Sequence, residues 1–138
     1  MSLHCLIYTS VAKQKMTDDY LKSILDKSRP KNIALSVTGM LLYLDPFFVQ
    51  VLEGEKNVIN DIFKRISQDP LHHKVSLILE KSLNERSFSH WAMGFNKIDQ
   101  AHIESVVSLD TFYKSDSFKK HPKDIVELLE MFKHETLF

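Results

Sequence analysis

Ser36-Val37-Thr38-Gly39-Met40-Leu41-Leu42-Tyr43-Leu44-Asp45-Pro46-Phe47-Phe48-Val49-Gln50-Val51-Leu52-Glu53 is the stretch that decides the fold. Two apolar runs, residues 36–44 and 47–53, are separated only by Asp45-Pro46, which reads as a tight hairpin between two buried strands. Pro46 replaces the glycine that such a turn favours. Upstream, residues 3–9 are short, apolar and bounded by the polar stretch 10–15, so they predict a first strand. Between this strand and the hairpin lies a helix. Thr17 is suited to cap it, Asp18 and Asp19 fall in its first turn, and Leu21, Ile24, Leu25 and Ser28 keep helical spacing, with Pro30 expected to stop it. Downstream of Gly54, Ile59, Ile62, Phe63 and Ile66 predict a second helix that Asp69-Pro70 ends. Val75, Leu77 and Leu79, alternating with Ser76, Ile78 and Glu80, predict a fourth strand, and residues 91–96 a short fifth.

The order β-α-β-β-α-β-β is that of the ferredoxin-like split βαβ, an α+β fold with two right-handed crossovers that place both helices on one sheet face. The other face then needs a cover, and the tail supplies it. Ile103, Val106 and Val107 hint at one helix, and Ile125, Leu128, Leu129 and Phe132 make a stronger one after His121-Pro122. The stretch 96–100 is the one internal boundary, dividing residues 1–96 from a helical extension, 97–138, that packs on the sheet.

Composition excludes several function classes. The 138 residues carry 18 Lys and Arg against 18 Asp and Glu, which leaves no global positive field for a phosphate backbone, so direct nucleic-acid binding is not expected. No apolar run exceeds five residues, whereas a spanning helix needs about 20, so no membrane role is expected. Met1-Ser2-Leu3-His4-Cys5 lacks the charged region, apolar core and cleavage site of a signal peptide, and the expected location is the cytoplasm. The single cysteine cannot form an internal disulfide, and Cys5, among Leu3, Leu6 and Ile7, reads as a small core residue. A chain of this length can bury roughly 65–70% of the surface its unfolded form exposes, enough for one core and a small appendage.

Polar residues inside the apolar strands are the functional signal. Gln50 shares a strand face with Phe48 and Leu52, and its neighbours on the other face are Phe47, Val49 and Val51, so neither parity offers it water. An unpaired buried amide costs about 1–3 kcal/mol, so Gln50 needs partners. They can be structural groups of the protein or a ligand with its own donor and acceptor edge. Tyr8, on the face of Leu6 and Ser10, raises the same alternatives: a core tyrosine with a satisfied hydroxyl, or a donor to such an amide. Asn32 reads as a turn residue after Pro30, and Gly39 as a point of close approach by a ligand or another backbone. Asp18, Asp19, Glu53 and Glu55 read as partners of helix N-termini. No Cys or His pair has zinc spacing, and the three glycines form no phosphate-binding loop, so neither a metal nor a classical nucleotide fold is expected.

In order along the chain, Leu6-Ile7-Tyr8-Thr9-Ser10, Ser28-Arg29 with Asn32, Val37-Thr38-Gly39-Met40-Leu41-Leu42-Tyr43, Phe48-Val49-Gln50-Val51-Leu52-Glu53-Gly54, Arg65-Ile66 with Asp69-Pro70 and His72, and Arg86-x-Phe88-x-x-Trp91-x-Met93-Gly94 together resemble a BLUF domain, a blue-light sensor using flavin, of the short type with C-terminal helices. The resemblance covers roughly two-thirds of the chain. It implies a flavin between the two helices, with Ile24 as one wall. It makes Tyr8 and Gln50 the photoactive pair, Asn32 the holder of the flavin's carbonyl edge and Lys31 a neighbour of the ring. Ser28, Arg65, Asp69 and His72 approach the ribityl chain or phosphate, and Trp91 and Met93 belong to a switch strand in which either can face the flavin. Leu71 stands where many members carry an arginine, so FMN or riboflavin stays open beside FAD.

The function implied is light-driven electron and proton transfer from Tyr8, a rearrangement of Gln50's hydrogen bonds, and signalling through the C-terminal helices to a protein partner or by self-association. About 43 residues follow Phe95, too few for an enzymatic output domain, so no enzyme activity is expected. A ferredoxin-like interaction module without a working chromophore is the alternative. A small hydrolase on the same fold lacks a phosphate cradle.

Overall fold

In the computed structural model, which describes residues 2–106, 108, 120 and 122–138, the quoted stretch forms β2 (Thr38–Leu44) and β3 (Phe47–Glu55), joined at a cis Asp45–Pro46 bond. They pair antiparallel with Leu44 opposite Phe47 and Leu41 opposite Gln50. β1 (Leu3–Ala12) lies antiparallel on the other side of β3, with Tyr8 opposite Gln50. It runs three residues past the expected end, because Val11 pairs with Phe47 and the Ala12 N–H donates to Pro46 O at 2.7 Å. β4 (His72–Ser82) flanks β1, and β5 (Gly94–Lys97) flanks β2 in parallel, giving the order β4-β1-β3-β2-β5. This is the ferredoxin-like α+β arrangement with a fifth strand added.

α1 (Asp18–Ala34) begins as expected: the Thr17 hydroxyl accepts from the Tyr20 N–H, and Asp18 and Asp19 sit in the first turn. Pro30 does not end it. Proline removes one helix N–H and crowds the carbonyl four residues back, yet the next turn is anchored from outside, by Arg29 and the buried Asn32 bonding to the segment before β5. The helix ends instead in a Schellman turn, with Ser36 N–H to Ile33 O and Val37 N–H to Asn32 O. Ser36 there has φ 57°, a conformation costing a non-glycine residue about 1 kcal/mol. Ser36→Gly should therefore raise stability by about 1 kcal/mol, read as a higher urea midpoint at unchanged slope; a lower midpoint would contradict this.

α2 (Lys56–Gln68) ends at Asp69. It packs with α1 on the face of Leu6, Tyr8, Phe48 and Leu52, where Leu21, Leu25 and Ile59 complete one core. On the opposite face Cys5, Ile7, Met40, Leu42, Val49 and Val51 meet Ile103 of α3 (Gln100–Glu104), Ile125, Leu128 and Leu129 of α4 (Pro122–Glu130), and Phe132. α3 stops before Val106, which lies in the following turn; Val107 and His121 fall outside the described residues.

Two strands depart from expectation. In β4 the pairing jumps from Leu79 opposite Ile7 to Leu77 opposite Tyr8, leaving Ile78 as the extra residue of a bulge. The faces exchange there, so Ile78 is buried and Leu77 is exposed. β5 starts at Gly94 rather than Trp91, because the Ala92 and Met93 carbonyls bond to α1 side chains instead of extending the ladder. Beyond α4 the chain returns along β5, the Leu137 N–H donating to Phe95 O at 2.6 Å. No helix among the described residues is long and apolar enough to cross a membrane.

Candidate functional site

A cleft of about 430 Å³ opens between α1 and α2 above β1 and β3. Helical spacing brings Ile24, Ser28, Lys31 and Asn32 of α1 to one side, and Arg65 of α2 stands across from them. Tyr8 and Gln50 come from the neighbouring central strands, Asp69 and His72 from the connection into β4, and Met93 from the bend before β5. Leu25, Leu41, Ile62 and Ile66 complete apolar walls. The sequence signals thus converge on one cleft, with the exception of Trp91.

At its floor, Tyr8 and Gln50 are 1% and 8% exposed. The Tyr8 hydroxyl donates to Gln50 Oε1, and Gln50 Nε2 donates to Met93 Sδ at 3.2 Å. Burial raises the Tyr8 pKa well above the ordinary phenol value, and the Asp69 charge adds to the effect, so the hydroxyl keeps its proton. The phenol ring also lies 5.4 Å from that of Phe63. Each polar atom of the Gln50 amide therefore has a partner, and the amide still holds one N–H and one lone pair to offer. Asn32 is on the helix, not in a turn, with its Nδ2 donating to Ala92 O at 2.7 Å.

Nearer the mouth, Ser10 Oγ lies 2.9 Å from His72 Nδ1, and the imidazole packs 5.3 Å from the Phe48 ring. Burial lowers the His72 pKa from the ordinary 6.5, with Asp69 opposing. The native state therefore favours the neutral ring. The stability this provides is fully present above pH 6.5 and is lost as pH falls through the lower native value. Urea midpoints should drop as pH falls below about 6.5, and His72→Gln should flatten that limb; identical limbs in both proteins would contradict it.

Trp91 points away from the cleft. Its ring packs against the opposite core, and Nε1 donates to Lys133 O at 2.9 Å. Of these two residues, then, Met93 meets Gln50 and Trp91 meets the C-terminal segment. Three consecutive carbonyls fix this bend: Trp91 O accepts from Gly39 N (3.1 Å), Ala92 O from Asn32, and Met93 O from Arg29 Nε (2.9 Å). At Gly39 the close approach is by backbone and by Met93, for a Cβ there would lie 2.0 Å from Val51 O and 3.1 Å from Met93 Cε.

Glu53 overturns the expectation of a helix-terminus partner. It is 1% exposed, and its carboxylate accepts from the Ser87 N–H (2.8 Å), the Phe88 N–H (2.8 Å) and the Thr38 hydroxyl (3.2 Å). Arg86 Nη1 donates to Glu53 O and Thr38 Oγ1, and Nη2 to Ser36 O. The first turn of α2 holds no acidic side chain. The missed signal was parity: Glu53 shares the face of Val49 and Val51, inside an apolar run.

The arrangement suits a flat ring system with an apolar body and an amide-like edge. The walls are apolar, Gln50 and Asn32 present donors and acceptors on one side, and Lys31 and Arg65 stand exposed at the mouth. Residues 3–94 match the family model of BLUF, sensors of blue light using FAD. A photoactivated adenylate cyclase subunit beta from Euglena longa is 34% identical over 93 residues, 67% of this chain and 11% of that protein. The chain thus spans about a ninth of that relative's length. Among solved structures, the photo-activated state of BlsA superposes with a TM-score of 0.78 at 25% identity, covering 96% of both chains. The dark state of BlrB, a BLUF protein, gives 0.76 at 25% identity with the same coverage.

Proposed function

The chain belongs to the BLUF family and is a flavin-binding blue-light sensor; on that premise we propose that light is read by Tyr8, Gln50 and Met93 and leaves through the bend carrying Met93. The proposed role is that of a light sensor with no catalytic activity of its own, in keeping with the family's description. The observation carrying the proposal is the unbroken chain from the Tyr8 hydroxyl through the Gln50 amide to the Met93 sulfur at the cleft floor.

The flavin supplies blue-light absorption and, when excited, an electron acceptor. Tyr8 is the proposed donor, and its proton has an acceptor already in contact, Gln50 Oε1. Return of the electron and of a proton to Tyr8 restores its oxidation state, and the amide is left reversed, tautomerised or both. In the reversed sense Nε2 faces the Tyr8 oxygen, which accepts. Oε1 then faces Met93 Sδ, which has no hydrogen to give, so the Met93 bond is lost. Reversal rewires the site without large displacement of heavy atoms, and the low dielectric of the buried floor makes the exchange count.

Asn32 and Gln50 are proposed to hold the polar edge of the ring, Ile24 one face, and Ser28, Lys31, Arg65, Asp69 and His72 the ribityl chain and phosphate. FAD is the proposed form, in keeping with the family's description; FMN and riboflavin are the alternatives, and mass measurement of the released cofactor separates the three. Residues 1–96 are proposed as the flavin-binding domain, acting in the cytoplasm, and 97–138 as the extension that carries the output to a partner or a second copy. The packing of α4 directly behind β3 supports that division. Identical scattering and exchange protection of residues 103–132 in dark and light would refute it.

The first test is the visible spectrum of the purified protein in darkness, after a blue pulse, and during dark recovery. A flavin band that shifts slightly to the red and returns is expected. A flavin band that does not shift, or a protein that stays colourless after incubation with excess flavin, overturns the reading.

A further inference from the structure

Arg29, described so far only as an anchor of α1 and of the bend before β5, touches two of the places where a signal has to pass. Its Nε donates to Met93 O at 2.9 Å, and its Nη1 donates to the Phe138 main-chain oxygen at 3.1 Å. One planar group thus joins the residue whose sulfur accepts from Gln50 to a segment 45 residues further along the chain.

That segment, residues 135–138, lies as a strap beside β5. The Leu137 N–H donates to Phe95 O, Thr136 Oγ1 accepts from the Phe95 N–H at 2.9 Å, and Asn96 Nδ2 donates to Glu135 O at 2.9 Å. The Phe138 ring stacks on Phe95, centroids 5.3 Å apart and planes 2° from parallel, under Lys22 Nζ at 4.8 Å. The strap begins just beyond α4 on one sheet face and finishes against α1 on the other. Its hold is slight: four residue pairs of hydrogen bonds, one stacked ring and one cation over that ring, with Leu137 itself 52% exposed. Segments with so few buried contacts open at the low end of a protein's stability range.

We propose that Arg29 is a positioning residue that couples Met93 to this strap, so that loss of the Gln50–Met93 bond releases residues 135–138 from β5. The donors of a guanidinium are fixed relative to one another. If the Met93 carbonyl moves as its side chain leaves Gln50, Arg29 cannot follow it and keep its geometry on Phe138 O. The strap then loses a charge-assisted bond at the end where it crosses to α1. The light-driven step rests on the reading above, in which Gln50 reverses; the mechanical link between Arg29 and the strap does not.

Amide hydrogen exchange of the flavin-loaded protein by NMR, at Leu137 and at a central β3 amide such as Val51, tests both. Wild type should show a protected Leu137 in the dark and at least about tenfold faster exchange under blue light, about 1.4 kcal/mol of lost protection, with Val51 unchanged. Arg29→Gln should exchange Leu137 in the dark as fast as lit wild type does, while still giving the red shift. Thr136→Val, which loosens the strap without touching Arg29, should free Leu137 in the dark and leave the spectrum alone. Equal dark exchange in Arg29→Gln and wild type overturns the link. Unchanged Leu137 exchange in lit wild type, with a normal red shift, overturns the coupling but not the photoreceptor; absence of the red shift itself is the failure of the earlier reading.

Discussion

Gln50→Leu is expected to take up flavin and to lose the reversible red shift entirely. Leucine fills a similar space between Phe48 and Leu52 but carries no donor and no acceptor, so both links of the Tyr8–Gln50–Met93 chain disappear together. The Tyr8 hydroxyl is left buried without its acceptor, at about 1–3 kcal/mol. Some loss of stability should therefore accompany the spectral change. Tyr8→Phe separates the two functions of the pair, for it removes the donor and keeps the amide. It should also abolish the shift, with a smaller effect on the unfolding midpoint because the acceptor left behind retains Met93 as a partner of the same amide. The measurement is the dark-minus-light difference spectrum of each variant loaded with flavin. An ordinary, reversible shift in Gln50→Leu would remove Gln50 from the mechanism and, with it, the proposed route through Met93.

The second large effect is on the frame rather than the chemistry. Among the described residues Glu53 is the one fully buried charged side chain, and its three donors all come from outside its own strand. Glu53→Leu should cost about 2–4 kcal/mol, since each orphaned buried donor costs about 1–3 kcal/mol. That is a large share of a domain's usual 5–15 kcal/mol. Glu53→Gln should cost less, because one oxygen remains to accept. Urea unfolding reads the difference, and a loss below about 1 kcal/mol in Glu53→Leu would mean that water or a neighbour replaces the carboxylate. Arg86 and Glu53 together fasten residues 86–88 to β3, so the loop that ends in Met93 is held by the same strand that carries Gln50.

Local patterns made much of this readable in advance. Strand alternation left Gln50 without a watery side whichever face it took, and the Thr17 cap with the Leu21, Ile24, Leu25 and Ser28 spacing gave the start and face of α1. The errors arose where a distant partner overrode a local rule. Pro30 is a sound stop signal, but Ala92 and Met93, some 60 residues away, hold the turns around it in place. Unbroken alternation was read from Val75 to Glu80 because a bulge at Ile78 cannot be seen in a two-residue period. Glu53 looked like the end of a strand because the amides that surround it, Ser87 and Phe88, are 34 and 35 residues distant. The choice between Trp91 and Met93 was likewise undecided in the sequence, since both are large and apolar; the Lys133 carbonyl, which suits an indole N–H and not a thioether, resolves it in this structure.

A detector is limited by its false alarms as much as by its response. Thermal motion reverses an amide as readily as light does unless one sense is favoured, and each 1.4 kcal/mol of preference suppresses the wrong sense tenfold. Tyr8 can donate or accept, and so it is indifferent to which way Gln50 points. The sulfur of Met93 is not, because it only accepts. On the proposed reading the bend before β5 would therefore do more than relay an event: by offering Gln50 a one-sided neighbour, it would set how quiet the protein is in the dark.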